Sequence, residues 1–148
     1  MELYFEDVIR AVTVRVITPV GAVDSSNFRQ LVASAEQAYK LGREFILLDL
    51  SRVHYMSSAG ILALNLIGKL YLGEKPPQAD PNWQSMQMIK KERSQARILP
   101  NRYVKLFQPQ EQVEQVIKMV GFDTLFEVFQ DRDTALASFR VGDRPRKA

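Results

Sequence analysis

The chain contains few of the residues that proteins most often use for covalent and metal chemistry. It has no cysteine and a single histidine, His54, among its 148 residues. Disulfides and thiolate metal sites are therefore excluded. One histidine also argues against a histidine-based metal centre or a catalytic triad. We accordingly predict no catalytic residues, no metal site and no cofactor.

Long apolar runs are also missing. The longest, AGILALNLIG at positions 59–68, is too short to span a bilayer. The first ten residues, MELYFEDVIR, carry acidic side chains early and lack the apolar core of a signal peptide. We therefore expect a cytoplasmic protein.

The net charge of +3 is unevenly spread along the chain. Residues 74–102 carry +3 and residues 140–148 carry another +3, so the remainder carries −3. The basic residues thus lie in a loop and a tail. A nucleic-acid-binding protein would instead carry a basic stripe on its folded face, so we predict no nucleic-acid partner.

The first third of the chain predicts a β-hairpin followed by a helix. AVTVRVITP alternates apolar and polar residues, which indicates a half-buried strand that stops at Pro19. LYFEDV, just before it, forms the other strand. Apolar residues then recur at helical spacing after Phe28, in a helix that Ser25 or Ser26 caps and Gly42 ends.

The rest of the pattern alternates strands and helices. EFILLDL indicates a central strand buried on both faces. SSAGILALNLIGKLYL indicates a largely buried helix. RYVKLF and LFEVF are strands, and PQEQVEQVIKMVG and DRDTALASF are helices. These segments predict an α/β fold, with a mixed β-sheet, an opening hairpin and helices packed on the sheet.

We predict one domain over residues 1–148, with a surface insertion at about 73–102. The insertion holds four of the seven prolines, which interrupts the regular pattern. A short helix near residues 83–95 falls inside it. From about residue 141 the chain is expected to be a frayed tail.

Three segments in this order resemble a STAS domain, the fold of bacterial anti-sigma factor antagonists and related partner-switching proteins. They are GAVDSSN before the first helix, FILLDLSRVHYMSSAGILAL across the central strand and second helix, and VIKMVGFDTLFEVFQDRDTAL near the end. The resemblance covers residues 3–72 and 103–140. It implies a non-enzymatic module that binds an anti-sigma factor or a related serine kinase.

In such proteins the kinase partner phosphorylates a serine at the start of the second helix, and the phosphorylated form no longer binds. Matching Gly60 to the family's glycine places Ser57 on its aspartate, Ser58 on its first serine and Ala59 on the serine usually phosphorylated. Alanine cannot accept a phosphate. The resemblance therefore leaves Ser58 or Ser57 as phosphoacceptor candidates, or else a module without this switch.

The resemblance also implies a partner-binding surface made of two loops and the second helix's start. Its predicted residues are Asp24, Ser25, Ser26, Asn27, His54, Tyr55, Met56, Ser57, Ser58, Ala59, Gly60 and Ile61.

Simpler roles compete with this assignment. Ser57 and Ser58 are also suited to helix capping, which is worth roughly 1 kcal/mol. His54 reads as a loop residue, and Asp49 as an acceptor in the turn after the central strand. A second function class is a STAS-like accessory subunit of a membrane transport system, or a regulatory domain that binds nucleotide or lipid. In that class, membrane contact would come through a transporter partner. A homodimer is left open.

Overall fold

A computed structural model describes residues 1–73 and 100–143. Within these ranges the chain forms six strands and four helices. The strands are β1 (Glu2–Ile9), β2 (Thr13–Val23), β3 (Phe45–Asp49), β4 (Val53–Met56), β5 (Val104–Phe107) and β6 (Val128–Phe129). The helices are α1 (Phe28–Lys40), α2 (Ser58–Tyr71), α3 (Glu111–Met119) and α4 (Arg132–Ala137), followed by a 3-10 turn at Val141–Asp143.

The strands form one mixed sheet in the order β1-β2-β3-β5-β6. β1 and β2 are the antiparallel opening hairpin. The pairs from β2 through β3 and β5 to β6 are parallel. β4 lies parallel to the last residues of β2, beyond the segment that β3 occupies. The predicted α/β fold with an opening hairpin is confirmed.

Both faces of the central strand are covered, which explains its continuous apolar sequence. Ile46 and Leu48 point into a core built with α1, α2 and α3. Phe45 and Leu47 point into a smaller core on the opposite face, which includes the two buried residues of α4. The sheet is therefore the middle layer, with three helices on one side and one short helix on the other.

Two local predictions are wrong. β2 does not stop at Pro19 but continues to Val23, with Pro19 opposite Leu3 of β1. β3 pairs only as far as Ile17, so Pro19 has a neighbouring strand on one side only and its missing N–H is tolerated. Neither Ser25 nor Ser26 caps α1: the capping position is Asn27, which makes no side-chain capping bond.

The end of the predicted insertion is part of the folded core. Asn101 is only 1% exposed. Its Nδ2 donates to the Gly68 carbonyl (3.1 Å), and its Oδ1 accepts from the backbone N–H groups of Tyr103 (2.9 Å) and Val104 (3.1 Å). It therefore joins the end of α2 to the start of β5. The helix predicted near residues 83–95 lies outside the described residues. Of the tail predicted from about residue 141, the first three residues form the 3-10 turn and the rest lie outside the described residues.

Replacing Asn101 with alanine should leave buried backbone groups without partners. We expect Asn101→Ala to lower the free energy of unfolding by about 2–3 kcal/mol, measured by urea denaturation. Arg102→Ala is the matched control, since Arg102 is exposed and its only described ion pair, to Asp143, is long at 4.0 Å. The control should change stability by less than about 0.5 kcal/mol. Equal effects of the two variants would contradict the assigned role.

The hairpin is also held by a charge cluster on its α1–α3 side. Asp7 of β1 accepts from Arg15 of β2 (2.9 Å) and from Arg43 of the α1–β3 loop (3.1 Å). The hydrogen bond from Arg15 is the main cause that lowers the pKa of Asp7 from 3.8 to about 2, with Arg43 adding to it and burial opposing it. Asp7 thus binds its two arginines most strongly while ionised.

This pKa gives a defined acid dependence of stability. Because the folded-state pKa is lowered, the contribution of Asp7 is complete above the unfolded value near 4 and is lost as the pH falls towards 2. We expect Asp7→Asn to flatten part of the stability loss between those values, as measured by urea denaturation across pH. Asp123→Asn, at an exposed position, is the control. An unchanged acid profile for Asp7→Asn would contradict the cluster's contribution.

Candidate functional site

The end of β2 and the start of α2 meet at one place on the surface. Val23 lies opposite Met56 of β4, and its carbonyl accepts a hydrogen bond from the Ser57 N–H (3.0 Å). Asp24 follows Val23 directly, so the 24–27 turn lies beside the first turn of α2. The structure therefore brings together the two segments that the sequence analysis assigned to one surface.

The 24–27 turn is stabilised by its own side chains. The Asp24 carboxylate accepts from the N–H (2.9 Å) and the hydroxyl of Ser26. These bonds lower the pKa of Asp24, with the side-chain bond to Ser26 the larger cause. Asn27 bridges the turn, since its Oδ1 accepts from Asp24 N (3.0 Å) and its Nδ2 donates to the Ala22 carbonyl (2.8 Å). The turn thus presents a fixed negative charge beside the exposed Ser25.

The first residues of α2 have different environments. Ser57 is the capping residue, because its Oγ accepts from the Ala59 N–H (3.2 Å) and its carbonyl from the Ile61 N–H (3.2 Å). The capping role predicted for Ser57 is confirmed. Ser58 is the first helical residue and is exposed, whereas Ala59 is 1% exposed. A hydroxyl at position 58 is accessible from solvent, but the side chain at position 59 is enclosed.

Gly60 lets α2 approach the sheet closely. A Cβ atom at this position would overlap Met56 Cγ and lie 3.2 Å from Val23 Cγ1. Both contacts are shorter than packed side chains tolerate without shifting. Glycine at position 60 thus sets the distance between the start of α2 and the ends of β2 and β4.

The sequence pattern predicts no strand at β4 and places His54 in a loop. His54 lies within β4, at an irregularity where Gly21 pairs with Val53 but Ala22 pairs with Tyr55. The extra residue is a β-bulge, and it leaves both His54 and Tyr55 exposed. Tyr55 is 47% exposed. Two consecutive outward side chains break the alternation by which a strand is found in sequence.

Two glutamines next to this strand were also missed. The Gln112 side chain accepts from Met56 N (2.9 Å) and donates to Met56 O (3.3 Å). Gln110 donates to the Ser51 carbonyl (2.8 Å). Gln112 therefore occupies the hydrogen-bonding positions on Met56 that another strand would use. We call Gln110 and Gln112 together the glutamine clamp. Nothing in the sequence distinguishes them from other surface glutamines.

The turn before β4 follows its prediction. Asp49 Oδ1 accepts from the N–H (3.0 Å) and hydroxyl (2.6 Å) of Ser51. Asp49 is thus a hydrogen-bond acceptor in the turn. Together with the bond from Gln110 to the Ser51 carbonyl, it stabilises the segment 49–56.

Over residues 1–73 and 100–143, no cluster of three or more histidine, cysteine or acidic residues is arranged to hold a metal ion. In the same part of the chain, no helix has the length and apolar character needed to cross a bilayer.

Comparison with known proteins agrees with this architecture. Residues 6–72 match the family model of the STAS domain. A curated relative from Bordetella bronchiseptica, named "Putative anti-sigma factor antagonist BtrV", is 26% identical over 121 residues, which cover 82% of each chain. The resemblance inferred from sequence is confirmed, since residues 6–72 of this chain are similar to the STAS domain.

Solved structures show the same fold. An anti-sigma factor antagonist from Mycobacterium paratuberculosis superposes with a TM-score of 0.63 at 14% identity, over 93% of this chain and 94% of the other. The Bacillus cell fate determinant SpoIIAA, solved in its phosphorylated form, superposes with a TM-score of 0.50 at 20% identity, over 94% and 100% of the two chains. At these identities the likeness concerns the fold alone.

The glutamine clamp generates a direct prediction. Gln112→Ala should leave the Met56 N–H without its partner, lower the free energy of unfolding by about 1–2 kcal/mol and speed hydrogen exchange at Met56 by about tenfold. Gln115→Ala, at an exposed position on the same helix, is the control and should change neither quantity. Unchanged exchange at Met56 in Gln112→Ala would show that the clamp does not hold β4.

Proposed function

We propose that the protein is a non-enzymatic, cytoplasmic interaction module that binds an anti-sigma factor or a related serine kinase and so acts in transcriptional regulation. The observation that carries this proposal is the convergence of the 24–27 turn, the β4 bulge and the first turn of α2 on one exposed surface of a STAS domain. We call it the contact surface. The relatives named as anti-sigma factor antagonists support the choice of partner.

The contact surface has the composition of a protein-binding site. Tyr55 offers a half-exposed aromatic ring on a braced strand, and aromatic residues are frequent binding hot spots. In the adjacent segments, polar groups are held by the hydrogen bonds of the 24–27 turn and of the glutamine clamp. Because these groups are already ordered, a partner would not have to order them on binding.

Regulation by phosphate, if the kinase partner supplies it, requires a hydroxyl other than one at position 59. Ser58 is the better candidate, since its side chain is exposed while Ser57 uses its oxygen to cap α2. A phosphate on Ser58 would add close to two negative charges at a helix N-terminus, which the free N–H groups stabilise. The fold would therefore remain intact. A partner packed over Ser58, however, would have to bury an unpaired charge.

The experiment compares Ser58→Glu with Ser58→Gln in tagged protein isolated from its own cells. The two side chains have nearly the same size, so they differ in charge alone. We expect co-purification of an anti-sigma factor with the wild type, a loss of at least about tenfold with Ser58→Glu, and a loss below about threefold with Ser58→Gln. The free energy of unfolding should stay within about 0.5 kcal/mol of wild type in both.

Other results would contradict specific parts of the proposal. Equal losses in both variants would mean that bulk rather than charge disrupts the surface, which would remove the phosphate mechanism. No loss in either variant would place the partner elsewhere on the molecule. Recovery of a transport-system subunit in place of an anti-sigma factor would overturn the choice of partner and favour an accessory-subunit role.

A further inference from the structure

The two edges of the sheet are very unequal. β6, at one edge, has two residues, and such a short edge strand offers little to an incoming strand. β1, at the other edge, has eight residues, all paired to β2 on its inner side. Within the described parts of the chain, no strand pairs with the outer side of β1. It contains no proline, lysine or bulge that would discourage pairing.

This edge strand is also apolar on both faces. Phe5 is 48% exposed and lies opposite Ile17, on the side of α1–α3. Tyr4 is 51% exposed and lies on the other face, opposite Thr18. Ile9 is 79% exposed at the end of the strand. A long, unblocked edge with apolar side chains on both faces is the kind that another strand extends.

We infer that β1 pairs with β1 of a second copy, antiparallel, about a two-fold axis at Phe5. Residues directly opposite in an antiparallel pair share a face. A two-fold axis perpendicular to the sheet therefore passes beside one residue of β1. That residue lies opposite the same residue of the second copy. With the axis at Phe5, Phe5 faces Phe5, Tyr4 faces Glu6, Leu3 faces Asp7 and Glu2 faces Val8.

The charges of β1 select this register over its neighbours. Moving the axis to Tyr4 would place Glu2 opposite Glu6, and moving it to Glu6 would place Glu6 opposite itself. An axis at Asp7 would set two aspartates face to face. Like charges directly opposite destabilise a strand pair. The Phe5 register avoids all such pairs and adds an aromatic pair at its centre.

The carboxylates next to the axis already have partners within their own copy. Asp7 is bound by Arg15 and Arg43, and Glu6 is bound by Arg132 of α4. Pairing would therefore not bury unpaired charges beside the new strand. One strand pair is a small interface, below the size typical of stable complexes. We expect a dimer that dissociates in the micromolar range.

Sedimentation equilibrium of the full chain over a range of concentrations tests the dimer. The wild type should show a reversible monomer–dimer equilibrium. Phe5→Glu sets two like charges on the axis and should weaken association by at least about tenfold. Met119→Glu is the matched control, because Met119 is an exposed apolar residue (70%) on α3 rather than on β1. It should leave association unchanged.

Crosslinking tests the register independently. The chain has no cysteine, so Phe5→Cys introduces the only thiol. A short bis-maleimide should then couple two copies through position 5 at concentrations that support dimerisation, while Met119→Cys should give no enrichment over random collision.

Each contrary result is decisive. A wild type that stays monomeric at every concentration would overturn the proposal, and so would a dimer that survives Phe5→Glu. A dimer that is sensitive to Phe5→Glu but does not crosslink at position 5 would overturn the register. None of these outcomes depends on the proposed anti-sigma factor partner.

Discussion

The close approach of α2 to the ends of β2 and β4 is the constraint on which the contact surface depends. A Cβ atom at Gly60 would overlap Met56 Cγ and lie 3.2 Å from Val23 Cγ1, so a side chain there would force its neighbours to shift. This contact fixes where α2 begins, and the Val23–Ser57 hydrogen bond fixes its direction. The 24–27 turn follows from the same strand end. A small shift at Gly60 would therefore move all three parts of the surface together.

The sequence predicted the elements that have a strong apolar period, and it failed where tertiary contacts override that period. β3 and α2 were identified because burial on nearly every side gives an unambiguous pattern. β4 was not, since its bulge exposes His54 and Tyr55 in succession. The sequence predicts a strand end at Pro19, because it does not reveal that the strand has only one neighbour there. The bonds of Gln112 to Met56 join residues 56 positions apart, a distance over which side-chain pairing leaves no local signal.

The face of the sheet opposite α1–α3 is stabilised by a buried lysine under a short helix. One short helix, α4, covers it, and Lys105 of β5 is buried beneath with 3% exposure. Its ammonium donates to the carbonyl (3.1 Å) and hydroxyl (3.0 Å) of Ser138, and it lies 4.7 Å from the centre of the Phe139 ring. A cation at the C-terminal end of a helix is favoured by the helix dipole. The buried charge thus holds α4 on the sheet, on the side opposite α1–α3.

The first two residues of α2 have opposite environments, since Ala59 is buried and Ser58 is exposed. Position 59 packs inside the α2–sheet contact, so a small apolar residue there adds to the core, while a hydroxyl would have to find a hydrogen-bond partner. Ser58, one residue earlier, points to solvent and is free of that requirement. Alanine at position 59 therefore packs into the core and provides no hydroxyl group there. At the start of α2, a modifying enzyme would therefore reach the exposed Ser58 and not the enclosed position 59.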